Sequence, residues 1–286
     1  MWHIAVLACL YAALSSSLNL VLGYAGLPSL CQAAFYGIGA YAASLLMLKL
    51  GLAFFPALGL AVIVTGAVSL LISVPALRLR GDYFVLGTLG FQVIVYGLLY
   101  NWVGLTNGSF GLSNIPVPVL FGMTIDSVSA YFCLAFCLCA VCVLIAWGVA
   151  RSPFGRLLRA IRDDEIAAIA IAKNTVSAKT SAFALSAALA AVPGALFAGY
   201  ARFIDPTSFT LAESILVLSM VVIGGAGSIA GPLVGSLLLV LMPEGLRYLQ
   251  VQDAVAANAR QIAYGLALVV LMRLRPQGMA GEYHFD

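Results

Sequence analysis

Residues 127–150 read SVSAYFCLAFCLCAVCVLIAWGVA, and residues 151–179, which follow directly, read RSPFGRLLRAIRDDEIAAIAIAKNTVSAK. The first tract carries no Asp, Glu, Lys or Arg, and at ~1.5 Å per helical residue it is long enough to cross a hydrocarbon core of ~30 Å. The second opens on Arg151 and mixes charge with apolar residues, as a segment outside that core must. The same alternation runs through the chain: 1–48, 50–77, 83–125, 180–201, 214–243 and 261–272 are also free of formal charge. With 63% hydrophobic and 9% charged residues in 286, the chain cannot cover the surface of a water-soluble globule. The fold class is all-α: a polytopic membrane helix bundle, one domain over 1–286. Segments near 4–22, 31–49, 54–77, 83–103, 129–149, 180–200, 211–224, 232–246 and 260–273 give about nine crossings (eight to ten). Pro28, Pro75, Pro193 and Pro232 fall at helix ends or interiors, so several helices are Gly/Pro-broken.

The formal charge of +3 offers no concentrated basic face, so nucleic acid is excluded as a partner and the lipid bilayer is the expected surroundings. Cys9, Cys31, Cys133, Cys137, Cys139 and Cys142 all lie in apolar tracts without paired C-x-x-C elements. They read as small buried hydrophobes, with neither disulfides nor a zinc site. No basic region precedes the first apolar tract, which is expected to be retained rather than cleaved as a signal peptide. Basic residues in short loops mark the cytoplasmic side. Arg151, Arg156, Arg159, Arg162, Lys173 and Lys179 put 151–179 there, and Arg78, Arg80, Arg273 and Arg275 agree. This orientation places the N-terminus outside and the C-terminus in the cytoplasm.

The connection 151–179 is longer than two adjacent crossings require. Ser152-Pro153 is an N-cap and first helical residue, opening a helix with Phe154, Leu157, Leu158 and Ile161 on one face and Arg156, Arg159 and Arg162 opposite. Asp163 or Asp164 can cap a second short helix with Glu165 in its first turn, running from Ile166 to Ala172. Ala167, Ala168, Ala170 and Ala172 leave room for a partner to come close. Lipid anchoring, worth ~1 kcal/mol per basic residue, accounts for the arginines. It does not account for the acidic triplet and the alanine-rich helix, which favour a protein partner.

Two glycine-rich breaks are similar to each other: Gly23-Tyr24-Ala25-Gly26-Leu27-Pro28-Ser29-Leu30 and Gly224-Gly225-Ala226-Gly227-Ser228-Ile229. As a weak internal repeat they point to a transport pathway where two halves meet. As plain glycine sequence they serve close helix packing, as Gly231-x-x-x-Gly235 does. Both readings stand at this point. The chain has no G-x-x-x-x-G-K-[ST], H-E-x-x-H or G-x-S-x-G, so it has no phosphate-binding loop or hydrolase motif of its own. The candidate crossing interiors carry no charge for proton coupling. It reads as a non-enzymatic transporter without cofactor or metal, driven by a partner. A secondary carrier or facilitator for a small polar solute, and more remotely a membrane-embedded enzyme, are the alternatives.

These residues resemble the permease subunits of branched-chain amino acid ABC importers, specifically the divergent second permease of a heterodimeric pair. The resemblance covers nearly the whole chain. It rests on Gly23 to Leu30 running into Ala33-Ala34-Phe35-Tyr36-Gly37-Ile38-Gly39-Ala40-Tyr41, on Arg78-Leu79-Arg80-Gly81-Asp82-Tyr83-Phe84, on Phe154-Gly155-Arg156 through Ala160-Ile161-Arg162-Asp163-Asp164-Glu165-Ile166-Ala167-Ala168, on Gly224-Gly225-Ala226-Gly227-Ser228, and on Arg275-Pro276-Gln277-Gly278. It implies a multi-pass protein of the bacterial inner membrane whose partners are a second permease subunit, two ATP-binding subunits and a periplasmic or extracellular solute-binding protein. It also implies that Phe154, Gly155, Arg156, Arg159, Arg162, Asp163, Asp164, Glu165, Ala167 and Ala168 form the ATPase-coupling element. Leucine, isoleucine and valine are the favoured solutes, with urea, short amides and aromatic acids carried by close relatives. The chain departs from the family pattern at Cys31-Gln32 (commonly Gly-His), at Ala172 (commonly Gly) and at Asn107 (frequently Gly). Gln32 and Asn107 each carry an amide that suits either a hydrated pathway or interhelical bonding. With Gly26, Gly108, Gly224, Gly225 and Gly227 they form the candidate pathway set. Because the first crossing starts close to Met1, a leading helix of longer relatives is expected to be missing.

Overall fold

A computed structural model describes residues 2–77, 81–120, 123–125, 127–247, 265 and 279. Eleven helices appear among them: α1 (Trp2–Asn19), α2 (Gln32–Leu50), α3 (Phe54–Ala76), α4 (Asp82–Asn101), α5 (Val103–Thr106), α6 (Val128–Arg151), α7 (Pro153–Asp163), α8 (Glu165–Ala170), α9 (Thr175–Ala201), α10 (Leu211–Gly224) and α11 (Ala230–Arg247). Seven stretches are long and apolar enough to cross a membrane: Trp2–Tyr24, Gln32–Leu50, Phe54–Ser73, Tyr83–Asn101, Val128–Arg151, Thr175–Ala201 and Pro206–Gly224, with Ala230–Met242 a shorter apolar helix. The count of about nine is therefore not reached among the described residues, and the expected crossing at 260–273 lies outside them. The all-α expectation needs one amendment, two short antiparallel ladders. β1 (Leu112–Ser113) pairs with β4 (Phe203–Ile204), and β2 (Val119–Leu120) pairs with β3 (Met123–Thr124). Both sit in connections beyond the helix ends, where backbone groups have no helical partner.

α1, α2 and α9 form the centre. α2 and α9 come close because their contact is built from small residues: a Cβ on Gly39 would overlap the Ala191 backbone, and one on Gly194 would overlap the Tyr36 carbonyl. Phe35 stands edge-on to Phe183 at 5.4 Å between centroids, closing the same interface. Several buried hydroxyls in the spans are satisfied within their own helix. Ser44, Thr65 and Ser219 donate to the carbonyls of Ala40, Ala61 and Ile215 four residues back. α3, α4 and α6 lie outside this centre, and their apolar side chains, among them Ile63, Leu71, Leu86, Ile94 and Leu144, are exposed for lipid or a partner. The cysteines do not all sit inside: Cys31, Cys139 and Cys142 are buried, whereas Cys133 and Cys137 are exposed on α6. An apolar tract on a peripheral membrane helix must present half its residues outward, which the sequence pattern does not reveal.

Candidate functional site

The segment 152–174 folds as a short helical excursion between α6 and α9. Ser152 caps α7, its Oγ accepting from the Gly155 N–H at 3.3 Å, and Pro153 follows in the first turn, where no donor is needed. Gly155 permits the sharp entry, since a Cβ there would overlap the carbonyls of Val149 and Ala150. Leu158 and Ile161 are fully buried against the bundle, with Phe154 and Leu157 packed partly beside them. Asp164, rather than Asp163, caps α8 by accepting from the Ala167 N–H at 2.9 Å. Glu165 accepts from Lys179 of α9 at 2.6 Å, and Ala168 is buried beneath α8.

The three arginines of α7 do not share an exposed face. Arg156 is exposed. Arg159 turns back to donate to the Ala150 carbonyl at 3.0 Å, capping the end of α6, and its guanidinium lies 5.7 Å from the Tyr24 ring centroid. Arg162 has a side chain only 11% exposed and bonds Asp163 at 3.0 Å. Its Nη1 donates to the Gly23 carbonyl at 2.7 Å. A helical wheel assigns the arginines to the polar side because it takes no account of the bundle lying within reach of their long stems. What α8 presents outward is apolar: Ile166 is 81% exposed and Ile169 55%, with Ile171 and Ala167 exposed alongside.

The two glycine-rich breaks meet in space. α1 continues as a π-helical turn, Leu20–Tyr24, before the chain leaves helical geometry. α10 and α11 form a hairpin whose backbones touch: a Cβ on Gly224 would overlap the Gly231 carbonyl, and one on Gly235 would overlap the Met220 carbonyl. Gly225 and Gly227 have φ of 111° and 81° in the connection between them. Asn19 joins the two breaks. Its Oδ1 accepts from the Gly227 N–H at 2.9 Å and its Nδ2 donates to the Ser228 carbonyl at 2.7 Å. Gly23 and Gly227 pack backbone to backbone, so that a Cβ on Gly23 would overlap both the Gly227 nitrogen and Asn19 Oδ1. Gly26, at φ +67°, lies over the Arg162 stem, where a Cβ would come 2.6 Å from Arg162 Cγ.

Irregular backbone in a membrane bundle must be satisfied from within the protein. Beyond the first break, Leu30 N–H donates to Thr88 Oγ1 at 3.1 Å, Ala33 N–H to Ser214 Oγ at 2.9 Å and Ala34 N–H to Gln92 Oε1 at 2.7 Å. The start of α2 is thus capped by side chains of α4 and α10. Gln92 also donates to the Phe209 carbonyl at 2.8 Å. Gln32 is buried close by, donating to Ser17 Oγ at 2.6 Å, while Ser186 donates to the Ser17 carbonyl at 2.7 Å.

Asn107 and Gly108 are not part of this assembly. Asn107 is exposed at φ 62° and donates to the Gly111 carbonyl at 2.9 Å. Gly111 packs against Ile204 beyond the C-terminal end of α9, whereas α7 and α8 precede its N-terminal end, ~40 Å away for a helix of this length. Of the expected pathway residues, Gly227 meets Gly23 and Asn19, Gly26 lies over Arg162, Gly224 packs on Gly231 and Gln32 bonds Ser17 of α1, while Asn107 and Gly108 lie at the opposite end of α9 from α7. The sequence reading missed Asn19, Thr88, Gln92 and Ser214. For Asn19 and Gln92 the available signal was an amide inside a charge-free tract, which in lipid requires a designated partner. Glu213, at the start of the expected crossing 211–224, is half-buried in the first turn of α10 and accepts from the Tyr11 hydroxyl at 2.9 Å. Among the described residues no group of three or more His, Cys, Asp or Glu could hold a metal ion.

Known proteins resemble this chain along nearly its whole length. The chain is 36% identical to LivM, the high-affinity branched-chain amino acid transport system permease protein of Escherichia coli strain K12, over 96% of this chain and 69% of that one. It is equally similar to the LivM of Salmonella typhimurium. The probable branched-chain amino acid transport permease protein LivM of Methanocaldococcus jannaschii is 24% identical over 96% of this chain and 91% of that one. No solved structure matches. The family described as branched-chain amino acid transport system, permease component, matches residues 1–272, and the chain belongs to that family of multi-pass membrane permeases.

Proposed function

We propose that this chain is the permease of an ATP-driven importer of branched-chain amino acids, pairing with a second permease in the bacterial inner membrane. The family match along 1–272 carries the reading. It makes the chain a transport component rather than an enzyme. Two ATP-binding subunits supply the energy on the face that carries α7 and α8, and a periplasmic or extracellular solute-binding protein delivers the amino acid to the opposite face. The outward surface of α8 supports an ATPase docking role. Three isoleucines stand exposed on a segment whose neighbours are Asp163, Asp164 and Glu165, and an apolar patch in so polar a stretch favours a protein partner. Gly155, Arg159, Arg162, Asp163, Asp164 and Ala168 hold the element in shape, while Arg156, Ala167 and Ile166 face the partner. The Met279 N–H donates to the Ile223 carbonyl at 2.9 Å, at the foot of α10. This supports a C-terminus on the same cytoplasmic side as α7.

Copurification of the chain with its candidate ATPases and second permease, followed by nucleotide-dependent uptake across a panel of solutes, tests the assignment. Ile166→Arg and Glu165→Arg are each expected to weaken ATPase binding and leucine uptake at least tenfold while membrane insertion stays intact. Normal copurification and transport in both variants would reject the docking site. Concentrative uptake by the chain without any nucleotide-consuming subunit would reject the importer reading and favour a secondary carrier.

A further inference from the structure

We propose that Asn19 is the positioning residue through which the α7 segment controls the second backbone break, by a relay running Arg162, Gly23, Asn19, Gly227. The inference rests on the ATP-driven importer reading and adds the route by which movement enters the bundle. Its first link is the guanidinium of Arg162, nearly buried, donating to the Gly23 carbonyl at 2.7 Å with its stem packed under Gly26. A displacement of α7 must carry the π-helical turn with it or break the bond from the nearly buried guanidinium to the Gly23 carbonyl. The second link is the turn itself. A π turn is a local departure from α-helical geometry that needs support from its surroundings, and here it ends the first helix directly after Asn19.

The third link is the amide of Asn19, 3% exposed, which reads the second break in both directions at once, accepting from Gly227 and donating to Ser228. These two bonds span more than 200 residues of sequence. Gly227 has the positive φ and the backbone contact with Gly23 that leave it no side chain of its own to fix its position. A rotation of the turn therefore releases or re-registers the α10–α11 connection. Ser16, Asn19, Tyr24 and Ile229 line a small cavity beside the turn, and the buried Ser16 hydroxyl has no hydrogen-bond partner.

The test uses the full importer, with its second permease, ATPases and solute-binding protein, in proteoliposomes. Asn19→Leu preserves side-chain size and removes the amide. It is expected to leave ATPase copurification unchanged and ATP hydrolysis within about twofold, while leucine taken up per ATP hydrolysed falls at least tenfold. A cysteine placed at Ile229 reports on the break: its labelling rate changes with nucleotide in the parent importer and ceases to change in Asn19→Leu. Arg162→Leu combined with Asn19→Leu lowers uptake per ATP no further than either alone, as members of one relay must. Should Asn19→Leu fail to accumulate, Asn19→Asp keeps the acceptor for Gly227, loses the donor to Ser228 and carries the same expectation. Uptake per ATP within threefold of the parent, or a reporter that still responds to nucleotide, overturns the relay and leaves the importer reading untouched. A parent complex that needs no nucleotide overturns both.

Discussion

Ala172 stands in left-handed backbone geometry, φ 57°, where the chain turns out of α8. Lys173 N–H bonds the Ala168 carbonyl at 3.2 Å around it, the arrangement that ends many helices and that glycine enters without steric cost. A Cβ in this region costs ~1–2 kcal/mol, partly offset in glycine by a freer unfolded chain. Ala172→Gly is therefore expected to raise stability by about 1 kcal/mol, read as a higher midpoint in thermal unfolding of the detergent-purified protein. Asn107 sits in the same backbone region and tolerates it better, because its amide bonds the Gly111 carbonyl locally. The two departures from the family pattern thus have one backbone explanation. Glu213 shows the limit of reading residues singly. Thr210-x-x-Glu213 has the spacing of a capping box, yet Thr210 makes no side-chain cap, and the Glu213 carboxylate accepts from Tyr11 of α1 instead. Capping sequence predicts that a helix starts here. It does not say that a tyrosine 202 residues away will take the carboxylate.

At the scale of elements, the α10–α11 hairpin is held by absence of side chains. A Cβ on Gly235 would overlap the Met220 carbonyl and come 3.0 Å from the Gly224 nitrogen, whereas one on Gly97 of α4 would meet nothing within 4 Å. Gly235→Ala is expected to destabilise by ~2 kcal/mol or more through forced separation of the helices. Gly97→Ala is expected to be neutral or stabilising by up to ~1 kcal/mol through helix propensity. Unfolding of the two variants side by side checks both. Helices were largely legible in advance, because charge-free length is a physical requirement of the bilayer. The boundaries followed less closely. α9 begins at Thr175 rather than near 180, since Lys179 is accommodated inside the helix by its bond to Glu165. The π-helical turn left no trace in composition, because Leu20, Val21, Leu22, Gly23 and Tyr24 suit an ordinary helix equally well. It is set by what surrounds it: the Arg162 guanidinium, the Gly227 backbone and Asn19.

On the scale of the whole molecule, the division into a central trio and an outer shell has a chemical readout. Cys133 and Cys137 face outward on α6, while Cys139 and Cys142 face inward. In the detergent-solubilised chain, N-ethylmaleimide is expected to modify the first pair while the fold is intact and the second pair only after denaturation, resolved by mass spectrometry of the peptides. Equal modification of all four would mean that α6 is rotated from its described position. Composition could announce a membrane bundle, but it could not say which helices are central, because lipid and protein interior are equally apolar and the pattern of polarity vanishes between them. The glycine breaks were visible as sequence, and their meeting was not, since it depends on α1 returning beside α11. The extra residue held in the turn after Asn19 has a consequence for how such permeases diverge. One residue advances a helix by about 100° around its axis, so an insertion or deletion between Leu20 and Tyr24 acts as an angular shift and not as a change of length. Lineages that gain or lose a residue there must relocate the amide by a position to keep their halves joined, and the spacing between that amide and Gly23 becomes a heritable gauge of gearing.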